Sequence, residues 1–508
     1  MYQERLIPTG YKFENGMQKA VSGRFSVLIA AALLLLFFGV NLVALNRFPP
    51  FIDETVHIRT GELVLQNFSP LEGINLGRQF TILWFALFQP AASDAIWVAR
   101  AATLIAALVG LAAVMGIARL AAGTWGMIFA ALLYSFNSFH YFYGRLALAD
   151  PVSGAAVLAA LYFAYRLSRR AAWQDAALCG ICLFLAVGAK INSIPYYGIP
   201  VAAALSLTPA VRRLSLPGRI RWLAAALGCA LGLFGAFVIG ARLRGLDFLS
   251  NSFSLALSAR GPFDTAAFFS PERIAGNVML TLDSLGVLWG LPALALLVTA
   301  VILLIVRRRF FLPLCLIAPA LALWINLPQE MRFFVVPAAI ALLCGAVVLG
   351  HAARRSRLVA AVALTVLAAW ALTLWLPFAL TAAETPADIP LPQVDARQYT
   401  RSDASGFGFD AIGDTLRGRD VQLVIGALAN CQGMRYHLRD LPISCPTIRP
   451  DGQDSPALAD LFAANRRAGV YVVLEDSPYV PERAPGQVAA MIDVPPGKPA
   501  LTLYDLAP

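Results

Sequence analysis

Apolar runs of bilayer-spanning length, about 20 residues, recur between residues 25 and 380, separated by polar stretches. Eleven are legible: 25–46, 95–118, 125–143, 152–167, 174–189, 194–210, 222–240, 284–306, 310–326, 333–350 and 358–380. Beyond residue 384 the pattern changes. VQLVIGAL (421–428), VYVVLED (470–476) and ALTLYDL (500–506) read as strands, with helical patterns near 408–418 and 456–468 between them. That alternation predicts a small α/β layer. The Pro-rich stretch 384–395 reads as a linker. The expected organisation is a transmembrane domain, 1–383, followed by an α/β domain, 384–508. No convincing internal repeat and no low-complexity tract interrupts either part.

Composition sharpens the class. Of the 508 residues 59% are hydrophobic and 14% charged, against about 25% charged in an average soluble protein. A soluble globular enzyme, a disordered chain and a disulfide-stapled secreted domain are excluded; a polytopic helical membrane protein is expected. The first run is expected to be a retained span and not a cleaved signal peptide, since it is long and no small-residue cleavage site follows. Scarce Lys beside abundant Ala and Arg suggests a GC-rich bacterial source.

The net charge of +10 divides into +15 over residues 1–383 and −5 over 384–508. The positive charge sits in alternate connections: Arg119; Arg166, Arg169 and Arg170; Arg212, Arg213, Arg219 and Arg221; Arg307 to Arg309; Arg354, Arg355 and Arg357; and, before the first run, Arg5, Lys12, Lys19 and Arg24. Topology explains this basicity, so nucleic acid is not an expected partner. The positive-inside rule puts these connections in the cytoplasm. The other set, 47–94, 144–151, 190–193, 241–283, 327–332 and the C-terminal domain, then faces outward, and an odd number of spans delivers the C-terminal domain to that side. Within 47–94, the stretch 80–90 (FTILWFALFQP) is too short to span. It is expected to lie in the interface, with Trp84 and Phe85 at headgroup level.

Five of the seven cysteines lie in spans, where the C-x-x-C of Cys179 and Cys182 reads as small buried hydrophobes. Cys431 and Cys445 are the pair in the outward domain, where oxidation is permitted; the sequence leaves their pairing open.

Charged groups at a bilayer are costly and therefore mark candidate sites. Asp53 and Glu54, in PPFIDETVHIRTGE, could supply a general base, hold a divalent cation, or merely start a solvated helix. Asp150-Pro151, in YFYGRLALADP, could be a site acid or a helix start, and Arg145 could pair with Asp150 or with a phosphate. Lys190, the only lysine between positions 19 and 498, could snorkel or bind an anion. Arg332, beside Glu330 in PQEMRFF, could grip a phosphate bidentately or anchor at the headgroups. His57, Arg59, Glu62 and Arg78 fill out the first loop. His140, His351 and His437 are too scattered to suggest a metal cluster. Acids and bases from four separate loops nonetheless emerge on one expected face of the membrane.

In this order, the motifs resemble the GT-C fold glycosyltransferases, in particular the superfamily of dolichyl-phosphate-mannose–protein mannosyltransferases and lipid A aminoarabinose transferases. The likeness rests on the Asp53-Glu54 pair after the first span, the apolar stretch in the same loop, the second span AIWVARAATLIAALVGLAAVMGIARLAAG, the run SFHYFYGRLALADP, the small-residue run ending in Lys190, and Arg332 to Pro337, which is similar to the family's R-Y-x-x-P. It covers roughly 25–345. Thr55, Val56 and His57 stand where the family often has an aromatic, and Phe333 where Tyr is common.

The resemblance implies an inverting glycosyltransferase. It would take a sugar from a polyprenyl-phosphate donor to an acceptor at the outer face of a bacterial cytoplasmic membrane. It implies Asp53 as general base, Asp150 as orienting acid, Glu54 as a partner of the base, and Arg332 and Lys190, with Arg145 beside them, as phosphate ligands; His57, Arg59 and Glu330 would line the substrate loop. It implies no cofactor, leaves a divalent cation open, and names neither sugar nor acceptor. The alternative is a transporter or flippase of a lipid-linked or anionic solute, which would favour inverted repeats and mid-membrane polar residues; neither is evident.

Overall fold

The computed structural model describes residues 14–89, 94–206, 215–248, 270–325, 330–446, 455–476 and 486–507. Arg5, Lys12, Arg212, Arg213 and the middle of the long 241–283 connection lie outside them.

The apolar runs fold as helices: α1 (Glu14–Leu42), α2 (Ile52–Gln66), α3 (Gln79–Ala86), α4 (Ala95–Ser135), α5 (Ser138–Tyr143), α6 (Ala149–Arg170), α7 (Trp173–Ala189), α8 (Ile199–Leu205), α9 (Leu216–Arg242), α10 (Pro271–Trp289), α11 (Leu291–Val306), α12 (Phe311–Ile325), α13 (Val335–Ala353), α14 (Arg357–Trp370) and α15 (Leu376–Glu384). Among the described residues five helices are long and apolar enough to cross a membrane, or six if α10 and α11 count as one broken span. Many large apolar side chains point outward: Leu35 is 71% and Leu358 74% exposed. On so apolar a bundle that surface fits lipid rather than water.

The turn expected between 95–118 and 125–143 is present, while other expected runs are interrupted as helices. The runs 95–118 and 125–143 are joined in α4, which breaks at Gly123 (φ 72°, ψ −161°). A Cβ on Gly126 would come within 2.7 Å of the Ala118 carbonyl oxygen. In a continuous helix, residues eight apart are separated by about 12 Å, so the chain doubles back at Gly123, where a glycine accepts the positive φ. Asn137 then caps α5 through its side chain, ending the run early. The run 284–306 is two helices bent by 119° at Gly290. The run 194–210 opens as a 3-10 turn (Ile191–Gly198) containing Pro195 before α8 begins. The last run passes through a π turn (Ala371–Trp375) between α14 and α15.

The expectation that Phe85 in 80–90 meets headgroups is corrected. The helix there, α3, is enclosed by α2, α4 and α7. Phe85 is fully buried and Trp84 donates from Nε1 to the Ala102 carbonyl at 3.0 Å.

The core sits where α13 and α6 pack along α4. One end of the bundle carries the arginine-rich turns: Gly123 lies against the Arg354 side chain, Arg309 bonds His351 at 2.7 Å and Arg166 pairs with Asp175 at 3.1 Å. The other end carries the first turns of α2 and α6, the exit of α7 and the entry to α13. The 19 residues of α13 hold the two ends roughly 30 Å apart.

After α15 the chain turns back over this second end through helix α16 (Gln393–Tyr399). Ile389, Leu391, Asp395 and Tyr399 are buried, so the stretch read as a linker is packed. Next come α17 (Phe409–Leu416), β1 (Leu423–Ala427), α18 (Cys431–His437), β2 (Ile443–Ser444), α19 (Ser455–Ala464), β3 (Val470–Glu475), β4 (Gln487–Ile492) and β5 (Leu501–Asp505). The sheet order is β2-β1-β3-β5-β4, parallel between β2, β1 and β3 and antiparallel through β5 to β4. Alternate residues face opposite sides: Val424, Tyr471 and Val473 meet α17 and α18, while Ile425, Val470 and Val472 meet α19. Cys431 and Cys445 are disulfide-bonded.

Candidate active site

Helix α2 decides what its adjacent acids can do. Both lie in its first turn, where carboxylates suit the helix dipole. Neighbouring helix positions point about 100° apart, so Asp53 and Glu54 face different surroundings and share no site.

Glu54 faces inward and is fully buried. Its Oε1 accepts from Arg100 Nε at 2.8 Å and from the Ala147 amide at 2.8 Å; its Oε2 accepts from Arg100 Nη2 at 2.7 Å and from the Phe51 amide at 2.9 Å. With four donors on two oxygens, it has no capacity left for a proton transfer. The reading of Glu54 as a chemical group is corrected: it is an anchor. Arg100, also buried, further donates to the carbonyls of Leu45, Phe48 and Pro49. This one side chain pins the loop leading into α2. Sequence reading passed over it as part of the second span, although an arginine in an apolar helix is itself a signal.

Asp53 faces a cluster of cations. Arg332 Nη1 donates to its Oδ2 at 2.6 Å, and Arg78 Nη1 lies 3.8 Å from the same oxygen. Burial pushes the carboxyl up, but Arg332 and Arg78 outweigh it and hold it well below the usual carboxylate range. One turn on, His57 lies between Arg78 (Nε2, 2.9 Å) and the Ala147 carbonyl (Nδ1, 2.9 Å). Burial, then Arg78, lowers its pKa to about 4. A neutral ring donates from Nδ1 to Ala147 and accepts at Nε2 from Arg78, which agrees with both contacts.

Asp150, in the first turn of α6, pairs with Lys190, which stands just past the end of α7. Burial lowers the Lys190 pKa to about 8 against the opposing pull of Asp150, with Arg332 and Arg78 adding to the fall. The small residues before Lys190 have a packing reason: a Cβ on Gly188 would overlap the Phe80 ring at 2.2 Å, so glycine lets α3 cross α7 there. Thr81 of α3 ties the crossing by donating to the Ala189 carbonyl at 2.9 Å.

The 3-10 turn Met331–Phe334 joins the two groups. Arg332 pairs with Glu330 as well as Asp53. The Phe333 ring lies 4.3 Å from Lys190 Nζ and 5.5 Å from the Arg332 guanidinium carbon, so one aromatic face serves both cations. Behind the turn, Asp395 of α16 accepts the Met331 amide at 3.3 Å. Burial raises the Asp395 pKa to about 7, against the opposing pull of hydrogen bonds from Tyr143 and Met331. The Tyr399 ring packs against Phe51, tilted by 47°, with ring centroids 4.6 Å apart. Neither Asp395 nor Tyr399 carried a sequence signal, because both lie in or near the supposed linker.

Of the expected site residues, Asp53, His57, Asp150, Lys190, Glu330 and Arg332 therefore come together, with Arg78 among them. Arg145 does not: it donates to the Val43 carbonyl at 2.7 Å and lies over Tyr141 at 4.3 Å. Its pairing with Asp150 is corrected, since Lys190 holds that acid. Arg59 pairs with Glu62 at 3.1 Å further along α2, away from the cation cluster. Among the described residues no three His, Cys, Asp or Glu gather as a metal site.

No protein-family model matches this sequence, and no curated protein sequence matches it. Solved structures do. ArnT from Cupriavidus metallidurans in the apo state superposes with a TM-score of 0.60 at 16% identity, over 96% of this chain and 99% of that one. ArnT from the same organism bound to undecaprenyl phosphate gives 0.54 at 15% identity, over 95% and 99%. ArnT, a lipid A aminoarabinose transferase, is a GT-C fold glycosyltransferase. The chain thus has the GT-C fold, and its apolar helices make it a multi-pass membrane protein.

Proposed function

We propose that the chain is an inverting glycosyltransferase that moves a sugar from a polyprenyl-phosphate donor to an acceptor hydroxyl. The observation that carries this reading is one end of the bundle where an acid, Asp53, meets the cations Arg332 and Arg78, and a third cation, Lys190, shares the Phe333 ring with Arg332. That undecaprenyl phosphate binds ArnT, a protein of the same fold, agrees with it.

The chemistry follows from charge. The acceptor oxygen bonds to the anomeric carbon, the bond from that carbon to the phosphate oxygen breaks, and the acceptor proton passes to Asp53. Negative charge grows on the departing polyprenyl phosphate, so Arg332, Lys190 and Arg78 stabilise the transition state more than the ground state. Asp53 paired to Arg332 is a weak base. A donor phosphate that draws Arg332 away removes that clamp, so the base strengthens only when donor is present. Asp150 holds Lys190 in place.

In this reading residues 1–383 form the catalytic membrane domain and 384–508 an extracytoplasmic α/β domain. The arginine-rich end then lies in the bacterial cytoplasm and the acid–cation end at the outer face of the cytoplasmic membrane. Asp53→Asn is expected to lower sugar incorporation from a labelled polyprenyl-phosphate donor by about 10²–10⁴-fold while the protein still inserts and stays monodisperse. Full activity in that variant refutes the assignment.

A further inference from the structure

We propose that the disulfide-closed loop 431–445 forms a second phosphate site, shaped for the headgroup of an anionic lipid at the membrane boundary. The loop bounds a cavity of about 400 Å³ lined by Arg435, Tyr436, Arg439, Leu441, Pro442 and Ile443. Every one of these residues lies between Cys431 and Cys445, which are bonded to each other. The covalent closure therefore fixes both walls of the cavity, and its volume suits a phosphodiester with its alcohol.

Position and charge select the ligand. Tyr436 packs against the buried cluster of Ile58, Phe85 and Ile96, and Arg439 lies 3.8 Å from Asp94. Asp94 is the residue whose side chain caps the first turn of α4, so the cavity stands within a turn of where a long apolar helix begins. That is the depth of lipid phosphates. The segments under Tyr436 present apolar surface: Leu87 is 75% and Trp97 43% exposed, as an acyl chain requires. The acids nearby, Asp94, Glu62 and Asp440, do not cancel the site. Asp94 is held by Asn46 and the Trp97 amide as well as by Arg439, Glu62 pairs with Arg59, and Asp440 is an exposed residue outside the lining. Arg435 is itself exposed. Two guanidiniums facing one cavity suit a phosphate, which takes planar donors in pairs.

The test reads binding, so it does not depend on the proposed sugar transfer. Native mass spectrometry of the full chain from neutral detergent counts retained dioctanoyl phosphatidylglycerol, with dioctanoyl phosphatidylcholine and inorganic phosphate as comparison probes. The wild type is expected to retain one phosphatidylglycerol more than Arg435→Ala/Arg439→Ala, and Arg435→Ala alone to weaken that occupancy about fivefold. Leu87→Ser is expected to weaken the lipid without changing inorganic phosphate. Equal phosphatidylglycerol retention in the wild type and the arginine variants overturns the site. Inorganic phosphate that displaces the lipid from this site, with Leu87→Ser without effect, overturns the lipid assignment in favour of a free anion. Because Arg435 is exposed, its single variant keeps the test valid even if the double variant fails to fold.

Discussion

The Glu54–Arg100 pair makes the sharpest stability claim. Both side chains are buried, at 0% and 1% exposure. Replacing Arg100 with Met leaves a carboxylate in the interior without its cation and removes the donor from three loop carbonyls. Breaking a buried pair from one side destabilises by about 3–5 kcal/mol. At roughly 2 °C per kcal/mol for a large chain, the thermal midpoint should fall by about 6–10 °C. Glu54→Gln should fall similarly, because it strands the guanidinium. The double variant Glu54→Gln/Arg100→Met strands neither charge, so it should lose clearly less than the sum of the two single losses. The assay is the midpoint of thermal unfolding in neutral detergent, read as monodisperse protein recovered after heating. Strict additivity of the single losses, or a loss below about 2 °C for each (roughly one kcal/mol on the same scale), refutes the view that this pair anchors the entry to α2. Sugar transfer should fall with stability in Arg100→Met, because the loop it pins leads directly to Asp53.

Other consequences can be checked separately. Lys190, with its pKa near 8, sheds its proton in the folded chain before the unfolded chain does. The donor KM should therefore rise above pH 8, and in Lys190→Met it should be high throughout and lack that limb. Over the same interval, from about 8 up to the ordinary lysine value, the unfolded state binds more protons, so this group makes stability rise with pH. Asp395 runs the other way: with its pKa near 7, the folded state holds the extra proton between the ordinary carboxylate value and 7. Its contribution to stability falls as pH rises through that window, and Asp395→Asn should flatten the midpoint-versus-pH curve there. Gly188→Leu should separate α3 from α7 and lower both expression and transfer, since Phe80 occupies the space its side chain needs. Removing the disulfide with Cys431→Ser/Cys445→Ser reopens a loop with a sequence separation of 14 and should destabilise by about 3 kcal/mol, read as faster proteolysis within residues 423–445.

Several candidate residues were legible because charge beside lipid is expensive wherever it occurs. Asp53, Asp150, Lys190 and Arg332 stood out against apolar neighbours, and in the fold the four converge. Their partners were not legible. Lys190 and Asp150 are 40 residues apart and Arg332 and Asp53 are 279 apart; nothing local specifies such pairings. Arg145 looked like the partner of Asp150 because it lies five residues away, yet its guanidinium turns to Val43 and Tyr141.

By itself, then, the sequence determined that this chain fills a bilayer with helices, where most of those helices lie, and that a small α/β layer follows. Hydropathy and period are local properties, and local windows carry them. Only the tertiary structure decided that the run 284–306 bends at Gly290, that adjacent acids serve opposite purposes, and that residues 393–399 close the back of the site. Those outcomes depend on which surfaces meet: a buried charge must find its counter-charge wherever the fold brings one, and no window of sequence contains both.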